Sequence, residues 1–92
     1  MASENYSNIA ESIIKYQESI IGPLAWSEAR SVVGLETKGD KVFIAGDGKQ
    51  VLEKLVSKYE ALFGQASIEA CKDAIRPLIK DSNVDLPEIL KI

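Results

Sequence analysis

The chain has 92 residues, of which 46% are apolar and 27% charged, and its formal net charge is −3. This length predicts a single domain spanning residues 1–92. Acidic and basic residues are interspersed, which argues against a nucleic acid or an anionic membrane surface as partner. No apolar run approaches the roughly 20 residues of a membrane span, and the polar N-terminus lacks the features of a signal peptide. We therefore expect a cytoplasmic protein.

Two residue counts limit the chemistry. Cys71 is the one cysteine, so an intrachain disulfide and a cysteine metal cluster are excluded. The chain has no histidine, which removes the commonest general base and the commonest transition-metal ligand. We expect no enzyme, no cofactor and no metal site.

The first predicted unit is a helix over residues 5–21 followed by a shorter helix over 24–31. Gly22 breaks the first helix, and Pro23 suits the first position of the second, where its missing amide would have had no helical partner. Apolar residues recur at helical spacing, at Ile9, Ala10, Ile13, Ile14, Ile20 and Ile21. Tyr16 lies off this stripe, which makes it a candidate interface residue.

A β-hairpin is predicted next, with strands over 33–37 and 41–45. Gly39 fits the first central position of a two-residue type II′ turn between them. Phe43 falls on the opposite face from its two apolar neighbours, so the second strand is apolar on both sides. A two-stranded hairpin is marginal in water on its own. The pattern therefore favours a second chain that covers Phe43.

The second predicted unit spans residues 48–78. Its first helix is capped by Asp47 and ends at Gly64. Its second helix is predicted to begin at Ser67 as cap, and it carries Cys71 on its apolar face, where a thiol is buried and inert. A short helical turn at 87–91 follows. The apolar residues of this tail, expected to dock onto the body, are Ile89, Leu90 and Ile92.

The two units echo each other at a spacing of 42 residues. Gly22 aligns with Gly64, and the Glu18 that flanks the first glycine aligns with Glu60. Apolar residues align with apolar residues along both helices of each unit. The echo predicts two similar helical hairpins packed together, and it leaves open whether they arose by duplication or by meeting the same packing rules.

Two motifs suggest other functions, and each has a simpler interpretation. The loop at 45–49 joins a strand to a helix N-terminus, where phosphate can bind, but it lacks the Walker pattern and Asp47 would repel an anion. Helical capping explains it better. A helix, glycine turn and helix could also read DNA, but the second helix would set Glu69 and Asp73 against phosphates.

The predicted fold is therefore α+β and mostly helical: two helix–Gly–helix units, at about 5–31 and 48–78, flank a two-stranded antiparallel hairpin. The leading functional hypothesis is a small non-catalytic interaction or regulatory module that forms a homodimer or binds another protein. Its candidate interface residues are Tyr16 and Phe43. The alternative is a protein that binds a small apolar ligand in a pocket between helices and hairpin. The candidate pocket residues are Trp26, Phe43 and Tyr59.

Overall fold

The computed structural model describes residues 2–79 and 85–90 and confirms the predicted α+β, mostly helical fold. In chain order the elements are α1 (Ala2–Ile21), α2 (Leu24–Arg30), β1 (Leu35–Lys38), β2 (Lys41–Ile44), α3 (Gly48–Phe63), α4 (Gln65–Ile79) and a C-terminal 3₁₀ turn (Glu88–Leu90). None of the helices in these described ranges combines the length and apolar character needed to cross a membrane.

A capping side chain and two glycines determine where the longer helices begin or end. Asp47 caps α3 by accepting hydrogen bonds from the amides of Lys49 and Gln50. Gly22 and Gly64 end α1 and α3 with φ values of +75° and +78°, a conformation that residues with a Cβ rarely adopt. Both glycines therefore act as the predicted breaks between paired helices.

Two predicted boundaries were wrong. The α4 helix begins at Gln65, so Ser67 is buried inside its first turn and does not cap it. Gly64 lets the chain re-enter a helix immediately, and the Ser67 amide bonds the Gly64 carbonyl at 3.0 Å. The strand β1 begins at Leu35 because Gly34, with φ +92°, makes a turn ahead of it.

One core joins both units. The fully buried side chains come from the inward faces of all four helices, and they include Ile13, Ile14, Leu52, Leu55, Val56, Tyr59, Cys71 and Ile75. The hairpin adds Leu35 and Val42 to this core from one face, while Phe43 lies on the other. The alternation of buried and exposed side chains along β2 confirms the predicted pattern.

The C-terminal turn docks onto the body, as expected. Leu90 is fully buried between α3 and α4, and Ile89 packs against the core. Asp85 ties this segment down, because its carbonyl accepts the Tyr6 hydroxyl at 2.7 Å and its carboxylate pairs with Lys49 at 3.3 Å. Ile92 lies outside the described residues.

The 42-residue echo is also present in the hydrogen bonds. The Gly22 amide bonds the Glu18 carbonyl at 2.8 Å, and the Gly64 amide bonds the Glu60 carbonyl at 2.8 Å. Each glycine carbonyl then accepts the amide three residues on, that of Ala25 in the first unit and of Ser67 in the second. The two helix–Gly–helix turns therefore share the same pair of backbone hydrogen bonds.

Each unit also donates a side-chain hydrogen bond to a backbone carbonyl of the other unit. Gln17 of α1 donates through Nε2 to the carbonyl of Ser67 in α4 at 3.2 Å. Tyr59 of α3 donates through its hydroxyl to the carbonyl of Ala25 in α2 at 2.7 Å. The two bonds correspond, because Tyr59 lies 42 residues after Gln17 and Ser67 lies 42 residues after Ala25. Such exchanged contacts are the mark of a two-fold relation. This pair of contacts is what an approximate two-fold relation between the two units would produce.

Candidate interaction surface

The outer edge of β2 is covered by α1. Glu11 accepts the outward-pointing amide of Val42 at 3.3 Å, and Lys15 bridges Glu11 and Asp40 at 3.4 and 3.8 Å. Polar side chains of a helix therefore take the place of a third strand on this side. A partner strand cannot pair here without displacing them.

The outer edge of β1 carries an open backbone position. In an antiparallel pair, residues that bond across the ladder alternate with residues whose amide and carbonyl point away. The Ala45 amide bonds the Gly34 carbonyl at 2.8 Å, so these two residues are a hydrogen-bonded pair of the ladder. Thr37 and Val42, three residues further along, are therefore a non-hydrogen-bonded pair, and the amide and carbonyl of Thr37 point outward. Within the described ranges, the Thr37 amide has no hydrogen-bond acceptor in another element.

The outward face of the hairpin mixes charge with an aromatic side chain. Lys38 lies directly opposite Lys41, and Glu36 lies opposite Phe43. All four side chains are exposed, and Phe43 retains 54% of its accessible surface. Like charges directly opposite each other destabilise a strand pair. The hairpin thus has an unfavourable lysine pair beside an open backbone edge.

Tyr16 and Phe43, the two predicted interface residues, are both exposed but lie on different sides of α1. Phe43 is on β2, which packs beside Glu11 and Lys15. Tyr16 projects about 140° around the helix from Glu11, because successive residues are about 100° apart. Tyr16 keeps 39% of its surface exposed. The structure does not bring the two side chains into one patch, and their interface role stays a prediction.

The three predicted pocket residues have different environments. Tyr59 is fully buried in the core, Trp26 is partly buried against it, and Phe43 is exposed. Burial, then nearby Cys71 and Glu28, raises the pKa of the Tyr59 hydroxyl well above its usual value of 10.0. Tyr59 therefore stays protonated and serves as a core hydrogen-bond donor. The apolar-ligand pocket stays a prediction.

Cys71 is buried and weakly acidic. Burial raises the pKa of its thiol from 9.0 to about 11, and the opposing effect of the hydrogen bond from Gln17 at 3.4 Å is smaller. A thiol of this kind is a poor nucleophile at neutral pH, since the thiolate is the reactive form. Within the ranges 2–79 and 85–90, no three His, Cys, Asp or Glu side chains approach closely enough to hold a metal ion.

We expect the protonated Cys71 thiol to make stability depend on alkaline pH. A raised native pKa stabilises the fold below the unfolded value near 9 and loses that contribution as pH rises towards about 11. Urea unfolding between pH 8 and 11 should show wild type losing more stability than Cys71→Ala, which retains every other titrating group. Parallel losses in the two proteins would contradict this assignment.

Sequence reasoning missed the residues that define this surface. In the sequence, Glu11 looks like an ordinary solvent-exposed charged residue. The fold brings it into contact with Val42, which is 31 residues away in the sequence. Thr37 has no distinguishing sequence signal, because its importance lies in the direction of its backbone groups. Gln17 and Tyr59 did carry a signal, since both stand on the apolar stripe at positions that the echo aligns.

Comparisons of the chain with protein-family models, with curated proteins and with solved structures find no match. The geometry and charge of the hairpin are therefore the basis on which a function can be inferred.

Proposed function

We propose that this protein is a small non-catalytic interaction module that forms a homodimer through the open edge of β1. The observation that carries the proposal is the asymmetry of the hairpin: Glu11 covers β2, whereas the backbone groups of Thr37 point outward without a partner in another described element. Exposed strand edges recruit further strands, and a second copy of the chain supplies an identical edge.

Charge selects the register of this pairing. Two antiparallel β1 strands centred on Thr37 exchange two backbone hydrogen bonds at the two-fold axis. They also place Glu36 of each copy opposite Lys38 of the other. The neighbouring register, centred on Glu36, would set two glutamates face to face and would need the Leu35 amide, which already bonds the Val32 carbonyl at 3.2 Å. The Thr37 register is therefore favoured.

The same register relieves the lysine pair of the hairpin. In the dimer, Lys38 lies between Lys41 of its own hairpin and Glu36 of the second copy, so a carboxylate offsets the like-charge contact. Because β1 is only four residues long, the pairing buries a small area. Interfaces below the standard size are weak or transient. We expect a dimer that dissociates on dilution.

A charge-reversal series tests the register. Glu36→Lys sets the new lysine against Lys38 of the second copy, and Lys38→Glu sets the new glutamate against Glu36 of the second copy. Each variant alone should therefore raise the dimer Kd by roughly tenfold or more. In an equimolar mixture, each contact between position 36 of one copy and position 38 of the other pairs a lysine with a glutamate. The mixture should therefore dimerise. Analytical ultracentrifugation over a wide concentration range gives each Kd.

The variants contain their own folding control. Lys38→Glu converts the like-charge contact with Lys41 into an attractive one, so its thermal stability should hold or rise while its dimer weakens. A wild type that stays monomeric at high concentration would overturn the proposal. A mixture that remains as monomeric as the separate variants would overturn the Thr37 register.

A further inference from the structure

A small cleft lies between the end of α1, the end of α3 and the start of α4, with a volume of about 160 Å³. We call it the α1–α4 cleft. Its apolar walls are formed by Ile20, Ile21, Phe63, Ala66 and Ala70. Among its described lining residues none is charged and none belongs to the hairpin. The cleft is therefore separate from the strand edge that carries the proposed dimer contact.

Two buried polar side chains also line the α1–α4 cleft. Gln17 and Ser67 are the buried polar residues of the part of the chain that the structure describes, with 2% and 5% of their surfaces exposed. Both lie at the cleft. A polar group removed from water without a partner is costly, so buried polar side chains are normally hydrogen-bonded. The bonds that these two residues make, and those that they do not make, therefore define what the cleft can recognise.

One oxygen of each side chain has no partner among the described residues. The Gln17 side-chain nitrogen donates to the Ser67 carbonyl at 3.2 Å and to the Cys71 Sγ at 3.4 Å. Because a carbonyl only accepts, the Gln17 atom that faces it is the nitrogen, and the atom left over is Oε1. Ser67 lies inside the first turn of α4, where its hydroxyl does not cap the helix. No other described residue bonds Gln17 Oε1 or Ser67 Oγ.

Both oxygens are accessible from the cleft. In the described ranges, every side-chain nitrogen and oxygen that is fully enclosed has a hydrogen-bond partner. Gln17 Oε1 and Ser67 Oγ lack one, so neither is fully enclosed, and the cleft is the surface that both residues line. Apolar walls with a few convergent polar atoms are the usual composition of a small-molecule site.

The 42-residue alignment explains why there is space at this position. Tyr59 aligns with Gln17, and Leu24 aligns with Ala66, so larger side chains stand at both aligned positions of the other unit. The Tyr59 hydroxyl also bonds the Ala25 carbonyl at 2.7 Å, which satisfies its polar atom within the protein. Glutamine in place of tyrosine and alanine in place of leucine leave both a volume and an oxygen available.

We propose that the α1–α4 cleft binds a small neutral hydroxyl compound with an apolar body of about six carbons. A cavity of about 150 Å³ with apolar walls can hold one benzene molecule, so the volume matches a body of that size. A hydroxyl group both donates and accepts, so one ligand oxygen can donate to Gln17 Oε1 and accept from the Ser67 hydroxyl. The 3.2 Å bond between Gln17 and Ser67 holds these two partners next to each other. A charged head group is disfavoured, because no described lining residue would pair with it.

Phenol and toluene are the matched probes for this site, because they have the same number of heavy atoms and only phenol carries a hydroxyl. Titration of the full chain, followed by backbone amide NMR, should give saturable phenol shifts at Ala66, Ser67 and Ala70, with a Kd on the order of 1 mM or below. Toluene should bind roughly tenfold more weakly, because it bonds neither oxygen. Phenol shifts that do not saturate, that cluster elsewhere, or that toluene reproduces with equal affinity would overturn the proposal.

Three variants locate the ligand within the cleft. Ser67→Ala removes the hydroxyl at a helical position that alanine favours, and should weaken phenol binding by roughly three- to tenfold while leaving toluene binding unchanged. Ala66→Leu introduces the residue found at the aligned position of the other unit, and should abolish saturable binding of both probes. Ala61→Leu makes the same change at an exposed alanine of α3 outside the cleft, and should bind phenol as wild type does.

Ala66 and Ala61 are both exposed, so neither leucine variant should lower the melting temperature. Unchanged phenol affinity in Ala66→Leu, or an equal loss in Ala61→Leu, would place the ligand elsewhere and overturn the proposal. A Ser67→Ala variant that binds phenol as tightly as wild type would overturn the role of the two oxygens in recognising the hydroxyl.

Discussion

Replacing Tyr59 with alanine should remove about 3–5 kcal/mol of unfolding free energy, the loss expected for a large aromatic side chain in a packed core. Tyr59 is fully buried, and its hydroxyl holds the Ala25 carbonyl of the opposite unit at 2.7 Å. A domain of this size has about 5–14 kcal/mol in total, so the variant should lose between about a fifth and all of its stability.

Two further substitutions divide this loss into its parts. Tyr59→Phe keeps the ring and removes only the hydrogen bond, and should cost about 0.5–1.5 kcal/mol. Tyr16→Ala truncates the same residue type at an exposed position and should cost less than about 1 kcal/mol. Urea unfolding measures all three. Equal losses for Tyr59→Ala and Tyr16→Ala would contradict the assignment of Tyr59 to the core.

Gly34→Ala should be the most damaging glycine replacement in the hairpin region, at about 2–6 kcal/mol, because two penalties add there. The φ of Gly34 is +92°, and a Cβ there would lie 2.9 Å from a methyl carbon of Val51 and 3.0 Å from the Ala45 carbonyl oxygen. Unfavourable backbone conformation costs about 1–3 kcal/mol, and crowding adds a comparable amount.

Gly46→Ala is the matched control for this prediction. Gly46 has a similar φ of +87°, but a Cβ there meets no atom within 4 Å. Its loss should therefore contain the backbone penalty alone. Thermal or urea unfolding of the two variants gives the crowding penalty by difference, and equal losses would show that the approach of Val51 and Ala45 to Gly34 is not limiting.

Local rules account for most of the fold. Helical spacing of apolar residues, the Asp47 cap and the Gly22 and Gly64 breaks each depend on a few neighbouring residues, and these elements were predicted close to their observed bounds. The errors fall where a glycine conformation decides the boundary. Gly64 allowed α4 to begin ahead of Ser67, and Gly34 delayed β1.

The surface was less predictable because it depends on contacts between distant segments. The exposure of Phe43 followed from strand alternation, which is local. Whether a strand edge is open depends on what packs beside it, and the Glu11 contact with Val42 could not be inferred from periodicity. The echo likewise aligned Val33 with Ile75 as two apolar residues, but their opposite burial follows from how far each helix continues.

The reciprocal bonds of Gln17 and Tyr59 have a consequence for how the chain assembles. The two helices of each unit pack on each other, and the first helix of each unit also bonds the second helix of the other. A chain severed after Ala45 would yield two fragments, each lacking a support that the other carries. We expect the connecting hairpin to act as a tether, which holds the two units at high effective concentration so that they fold in a single cooperative step.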